Sequence, residues 1–67
     1  MYDAKANGNR LRNLRGKKTL EEVASEINIS VSALAMYERG ERNPRDEVKL
    51  AFAKYYAVPV TDIFFAS

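Results

Sequence analysis

The chain has 67 residues, which is room for one small domain, and it contains neither cysteine nor histidine. These absences exclude disulfide scaffolds and the usual zinc sites, and they leave no thiol or imidazole for catalysis. No apolar run approaches the roughly 20 residues of a membrane span, and the N-terminus has no apolar signal core. We therefore expect a soluble, cytoplasmic protein that has no membrane contact, metal or cofactor.

The net charge of +2 is unevenly distributed along the chain. Residues 1–18 sum to +5, residues 19–38 to −4 and residues 39–54 to +2. Two basic segments therefore flank an acidic one. If folding brings the basic segments together, they form a cationic face that suits a polyanion. Ordinary solvated surface is the alternative, and charge alone does not decide between the two.

The first predicted helix covers about residues 7–15 and ends at Gly16, a residue suited to left-handed backbone geometry. Leu11 and Leu14 lie three positions apart and are expected on its inner face. Residues 1–6 are expected to form a flexible arm.

The second and third helices are marked by their N-caps. Thr19 and Glu22 have the spacing of a capping box and open helix two. Asn28 tolerates left-handed geometry and ends that helix, and Ser30 caps helix three over about residues 31–39. The spacing predicts two short helices that are joined by a tight turn.

Gly40 is predicted to end helix three, and a polar loop follows. Asp46 favours the start of helix four, along which apolar residues recur at helical spacing: Val48, Phe52, and Tyr55 or Tyr56. A short fifth helix is expected over residues 60–64 after Pro59. The predicted fold class is all-α, with five short helices and no sheet.

Two short helices around a tight turn are the architecture of a helix-turn-helix, whose second helix enters the DNA major groove. Four segments add to this signal: Thr-Leu-Glu-Glu-Val-Ala at 19–24, Ile-Ser at 29–30, Tyr-Glu-Arg-Gly-Glu-Arg-Asn-Pro at 37–44 and Val-Pro-Val-Thr-Asp-Ile-Phe at 58–64. In these segments the chain resembles the Cro/repressor-type, or xenobiotic-response-element-like, helix-turn-helix family of prokaryotic and phage regulators. The resemblance implies a lambda-repressor-like domain over residues 7–67, with helices two and three as its helix-turn-helix.

The resemblance implies that four residues of helix three face the bases: Val31, Ser32, Ala35 and Met36. Only Ser32 among them can form a hydrogen bond, so polar readout is thin. The three apolar side chains could press on thymine methyl groups. The alternative is that this apolar face contacts a protein.

The resemblance also implies a set of DNA backbone contacts: Thr19, Ser30, Arg39, Arg42, Asn43 and Arg45. The family usually has glutamine after Thr19, where this chain has Leu20, so one phosphate contact is unmade or Leu20 turns to the core. Arg10, Arg12 and Lys17 are weaker candidates, because helix one often lies behind the binding face.

Two further roles are expected from the same resemblance. Arg15 and Glu38 would form a structural pair that ties helix one to helix three. Tyr56, Phe64 and Phe65 would lie at a dimer interface, because three large aromatic residues near the end of a small domain cannot all be buried in one core. The alternative is that one phenylalanine fills the core and the other stays exposed.

The sequence favours a DNA-binding protein over an enzyme, since it has no nucleophile setting and no glycine-rich phosphate loop. The prediction is a sequence-specific transcriptional regulator, a homodimeric repressor of phage or mobile-element type that binds double-stranded DNA at a roughly palindromic operator. The alternative is a protein-interaction module on the same fold, such as an antirepressor or antitoxin. A regulatory protein partner is compatible with either.

Overall fold

The computed structural model describes residues 3–64, and over this range the chain forms five α-helices and no β-strand. The helices are α1 (Ala4–Arg15), α2 (Leu20–Glu26), α3 (Val31–Arg39), α4 (Asp46–Tyr56) and α5 (Val60–Phe64). None of the helices in this range is long and apolar enough to cross a membrane. The predicted all-α class with five short helices is confirmed.

Helix α1 begins three residues earlier than the sequence pattern predicted. The Asp3 carboxylate accepts hydrogen bonds from the backbone N–H groups of Lys5 (3.1 Å) and Ala6 (3.2 Å) and so caps the helix. The expectation of a flexible arm over residues 1–6 is therefore wrong for residues 4–6, which are helical. Met1 and Tyr2 lie outside the described residues.

The closest helix packing is that of α1 against the end of α3. A Cβ atom at Gly8 would lie 2.7 Å from the carbonyl oxygen of Tyr37 and closer still to that of Glu38. At Gly40, which has a φ of 73°, a Cβ atom would lie 2.8 Å from the Cα atom of Lys5. Two glycines thus let the backbones of α1 and α3 touch, which fixes α3 on the rest of the domain.

The core is formed by one or two side chains from each helix. The residues buried to 2% exposure or less include Leu11, Val23, Ala24, Leu34, Phe52, Ile63 and Phe64. Leu14, expected beside Leu11 on the inner face, is instead 37% exposed. Leu14 lies about 60° around the helix from Leu11, at the edge of the inner face, where it borders a surface hollow with Val58 and Ile63.

An aromatic cluster centres on Phe52. Its ring meets Tyr37 edge-on at 6.1 Å, lies parallel to Tyr56 at 6.3 Å and is tilted against Phe64 at 6.1 Å. Phe64 is only 1% exposed. The prediction that Phe64 lies at a dimer interface is therefore corrected, because its side chain is buried in the core of its own chain.

Candidate nucleic-acid interface

The turn between α2 and α3 is built from local signals. The Thr19 hydroxyl accepts from the backbone N–H of Glu22 at 3.1 Å, and the Glu22 carboxylate accepts from the Thr19 N–H at 3.3 Å, which completes the capping box. Asn28 adopts a φ of 62°, and the Ile29 N–H then bonds the Ala24 carbonyl at 2.9 Å. The chain thereby reverses direction tightly after α2.

Helix α3 begins where the sequence predicted, with the Ser30 hydroxyl accepting from the Ala33 N–H at 3.0 Å. Its inner face buries Leu34, Tyr37 and Glu38. Four residues remain accessible on the other side, and they are those predicted to face the bases: Val31 and Ser32, which are exposed, and Ala35 and Met36, which are partly exposed.

The two capping hydroxyls differ in what they can still donate. The Thr19 hydroxyl also donates to the Glu22 carboxylate at 3.2 Å, so its proton is already used. The Ser30 hydroxyl donates to no acceptor within residues 3–64 and can offer its proton to a phosphate. Of these two hydroxyls, the one of Ser30 keeps its proton available for the predicted backbone contact.

The other residues predicted to contact the DNA backbone, three arginines and one asparagine, lie at the end of α3 and in the loop after it. Arg39, Arg42, Asn43 and Arg45 are all exposed. Pro44 between them is buried, which anchors the loop to the domain. Arg39 donates from Nη2 to the Glu41 carboxylate at 3.1 Å, and both side chains are more than half exposed.

Arg15 and Glu38 form the predicted structural pair with two-point geometry. The carboxylate accepts from Nε at 2.8 Å and from Nη2 at 3.0 Å, and Nη1 donates to the Lys18 carbonyl at 2.7 Å. The hydrogen bond to Glu38 raises the pKa of Arg15 above its ordinary value. The pair ties α1 to α3 and keeps the Glu38 charge away from the exposed face of α3.

Two residues of α1 that were weaker candidates for DNA backbone contacts, Arg10 and Arg12, have different surroundings. Arg10 donates to the Asn7 side chain at 2.7 Å and to the Ile63 carbonyl at 3.0 Å, so it links α1 to α5. Arg12 borders a hollow beside α3, together with Ala35 and Arg39. Leu20, which stands where the family usually has glutamine, packs partly against the core.

The predicted dimer residues have separate outcomes. Phe64 is buried, as described above. Tyr56 is half-buried against Phe52, with its hydroxyl enclosed and without a partner in residues 3–64, and burial raises the pKa of Tyr56 to about 12. Its place at an interface stays a prediction. Phe65 lies outside the described residues.

Comparison with known proteins agrees with this geometry. The model of the helix-turn-helix family matches residues 10–63. The chain is 34% identical over 56 residues to the cryptic phage CTXphi transcriptional repressor RstR of Vibrio cholerae. The aligned region covers 81% of this chain and 50% of that protein. The chain thus spans about half the length of this curated relative.

A solved structure, that of the DNA-binding domain of BldD, superposes with a TM-score of 0.76 at 27% identity, covering 92% of this chain and 93% of the other. The five-helix architecture therefore matches a helix-turn-helix domain, as the sequence predicted. With the family model covering most of its length, the chain belongs to the helix-turn-helix family.

Proposed function

We propose that the protein is a sequence-specific DNA-binding transcriptional regulator, a dimeric repressor of phage or mobile-element type that reads a roughly palindromic operator with α3. The observation that carries the proposal is the division of α3 into two faces. Leu34, Tyr37 and Glu38 are buried, and this fixes which side of the helix is left for the major groove.

Base recognition in this proposal is mostly apolar. Val31, Ala35 and Met36 press on thymine methyl groups, and Ser32 supplies a hydrogen bond. Serine suits several bases, so the sequence preference comes mainly from methyl contacts and from DNA shape. We expect operators in which thymines lie opposite the exposed face of α3.

The binding energy comes mostly from phosphates. Ser30, Arg42, Asn43 and Arg45 contact the sugar-phosphate backbone, and the buried Pro44 holds their loop in place. Thr19 and Arg39 belong to the same set. Binding that rests on phosphate contacts falls steeply as salt is raised, since each neutralised phosphate releases counterions.

The relatives support the repressor assignment. RstR is named as a phage transcriptional repressor, and the BldD domain is a DNA-binding domain. A homodimer would place two copies of α3 about 34 Å apart on one face of the duplex. We place the dimer on DNA in the cytoplasm. Control by an inducer or a protein partner is compatible with this proposal.

The experiment is selection of binding sites from random duplexes, followed by a salt titration of the enriched sequence. We expect the selection to enrich one roughly palindromic motif. In the titration, the logarithm of the affinity should fall linearly with the logarithm of the salt concentration, with a slope that corresponds to several phosphate contacts. Absence of an enriched motif together with weak binding at low salt would contradict the proposal and favour a protein-interaction module that uses the apolar face of α3.

A pair of variants separates base contacts from backbone contacts in the same selection. Arg42→Ala should weaken binding to all sequences alike, whereas Met36→Gln should change which sequence is enriched. If Met36→Gln lowers affinity equally for every sequence, α3 does not read the bases through this side chain.

A further inference from the structure

A hollow of about 160 Å³ separates the second half of α1 from the end of α3. It is lined by Arg12, Arg15, Leu20, Ala35, Glu38 and Arg39. We propose that this hollow holds one backbone phosphate of the bound DNA, gripped by Arg12 from α1 and Arg39 from α3. The proposal rests on the proposed DNA-binding function and adds α1 to its contact surface.

Two oppositely charged residues of the lining, Arg15 and Glu38, neutralise each other. Both oxygens of Glu38 accept from Arg15, and the third nitrogen of Arg15 donates to the Lys18 carbonyl. The acid in the lining is thus neutralised, and Arg15 is not the group that binds a further anion. The charge that remains for a ligand belongs to Arg12 and Arg39.

Arg12 and Arg39 are both available to an anion from outside. The exposed Arg12 guanidinium makes no hydrogen bond or ion pair within residues 3–64. Among the described residues Arg39 pairs with Glu41, and the two side chains of this pair are 59% and 56% exposed. A pair so open to water contributes little, so a phosphate can take the place of the Glu41 carboxylate.

The hollow borders the face of α3 that is proposed to read the bases. Ala35, on the proposed base-reading face, forms part of its wall, and Leu20 at the start of α2 forms another part. With α3 in the major groove as proposed, we expect the strand that borders the groove on the α1 side to pass beside this hollow. The Leu20 side chain cannot donate a hydrogen bond, so side-chain donors to a phosphate there have to come from other elements.

The chemistry of the lining selects a phosphodiester. A guanidinium presents paired N–H donors that match two oxygens of a phosphate, and one guanidinium from each of two helices can bind both non-bridging oxygens. The phosphodiester carries one negative charge, which a pair of arginines more than neutralises. The ligand is therefore a single backbone phosphate of double-stranded DNA.

The test compares Arg12→Gln with Lys54→Gln on the selected duplex. Both variants remove one positive charge, but Lys54 is exposed on α4 beside a different hollow, with Glu26 and Asn28. We expect Arg12→Gln to lower affinity for the duplex about 10-fold. Its slope of affinity against salt on logarithmic axes should correspond to about one phosphate contact fewer. Lys54→Gln should change affinity less than about 2-fold. Thermal melting checks that both variants fold.

A second measurement locates the phosphate. Methylphosphonate substitution removes the charge of one phosphate at a time, and each substitution is tested with the wild type, Arg12→Gln and Arg39→Gln. We expect one position per half-site at which the wild type loses affinity and each variant loses less than the wild type does, since one of the two arginine contacts is already missing in each variant. The other positions should keep their full penalty in Arg12→Gln.

The outcomes distinguish this proposal from the function on which it rests. If wild-type protein binds its selected duplex but Arg12→Gln behaves like Lys54→Gln and keeps every methylphosphonate penalty, the phosphate site is overturned and DNA binding stands. If the wild type binds no duplex, the function fails and the phosphate site fails with it. An Arg12→Gln defect at one position, shared by Arg39→Gln, supports the site.

Discussion

Glu38 is a carboxylate that is only 8% exposed, and its charge is balanced by a single neighbour. Arg15 donates to both of its oxygens, which offsets the cost of removing the charge from water. The residue belongs to α3 but faces away from the proposed DNA surface. Its contribution is therefore to hold α3 in place, and a change there should be measured in stability.

Glu38→Gln should lower the free energy of unfolding by about 2–3 kcal/mol, because it leaves the largely buried Arg15 guanidinium with an unbalanced charge. Urea unfolding followed by circular dichroism measures the change. The matched control is Glu41→Gln, which breaks the exposed pair with Arg39 and should cost less than about 0.5 kcal/mol. Equal effects of the two changes would show that burial does not strengthen the Arg15 pair.

Single residues could be predicted from the sequence where their signal is local. Thr19, Ser30 and Asn28 act on backbone groups within a few positions, so spacing alone was sufficient. The position of Arg12 beside Arg39 depends on how α1 packs on α3, which no local pattern encodes. The same limit applies to Phe64, whose burial requires the Phe52 ring from another helix.

At the scale of elements, the bounds of α3 and α5 agree with prediction, and α2 ends at Glu26, two residues before Asn28, which was predicted to end it. α1 begins three residues before its predicted start, although Asn7 and Gly8 within it are weak helix formers. The structure explains their presence: Gly8 lies against the backbone of α3, and Asn7 is buried and accepts a hydrogen bond from Arg10. Tertiary packing outweighed helix propensity here.

Gly8→Ala tests this contact between helices. Alanine favours an isolated helix by about 1 kcal/mol over glycine, but its methyl group would collide with the carbonyl oxygens of Tyr37 and Glu38. We expect a net loss of about 1–3 kcal/mol in urea unfolding, since backbone must move to make room. Asn9→Ala, at an exposed position of the same helix, should be neutral or slightly stabilising. A more stable Gly8→Ala protein would show that α1 and α3 are not in backbone contact.

At the scale of the whole molecule, the stability of the domain depends on a small number of buried side chains. A domain of this size has a stability of about 3–10 kcal/mol, and Phe52, Phe64 and Leu11 are among the largest side chains that are fully buried. The aromatic residues near the end of the described chain therefore serve the core first. This leaves Tyr56, which is half-buried, and Phe65 as the remaining residues predicted for a dimer interface.

Phe64→Ala separates a core role from an interface role. Truncating a fully buried phenylalanine costs about 3–5 kcal/mol, so we expect the Tm to fall by more than about 15 °C and much of the helical signal to be lost near the new midpoint. Leu50→Ala is the matched control, because Leu50 is a large apolar residue that is 60% exposed on α4, and its Tm should change little. Circular dichroism and sedimentation are measured on the same samples. If Phe64 were instead an interface residue, the variant would sediment as a folded monomer with a Tm close to that of Leu50→Ala, and the place of α5 in the core would have to be revised.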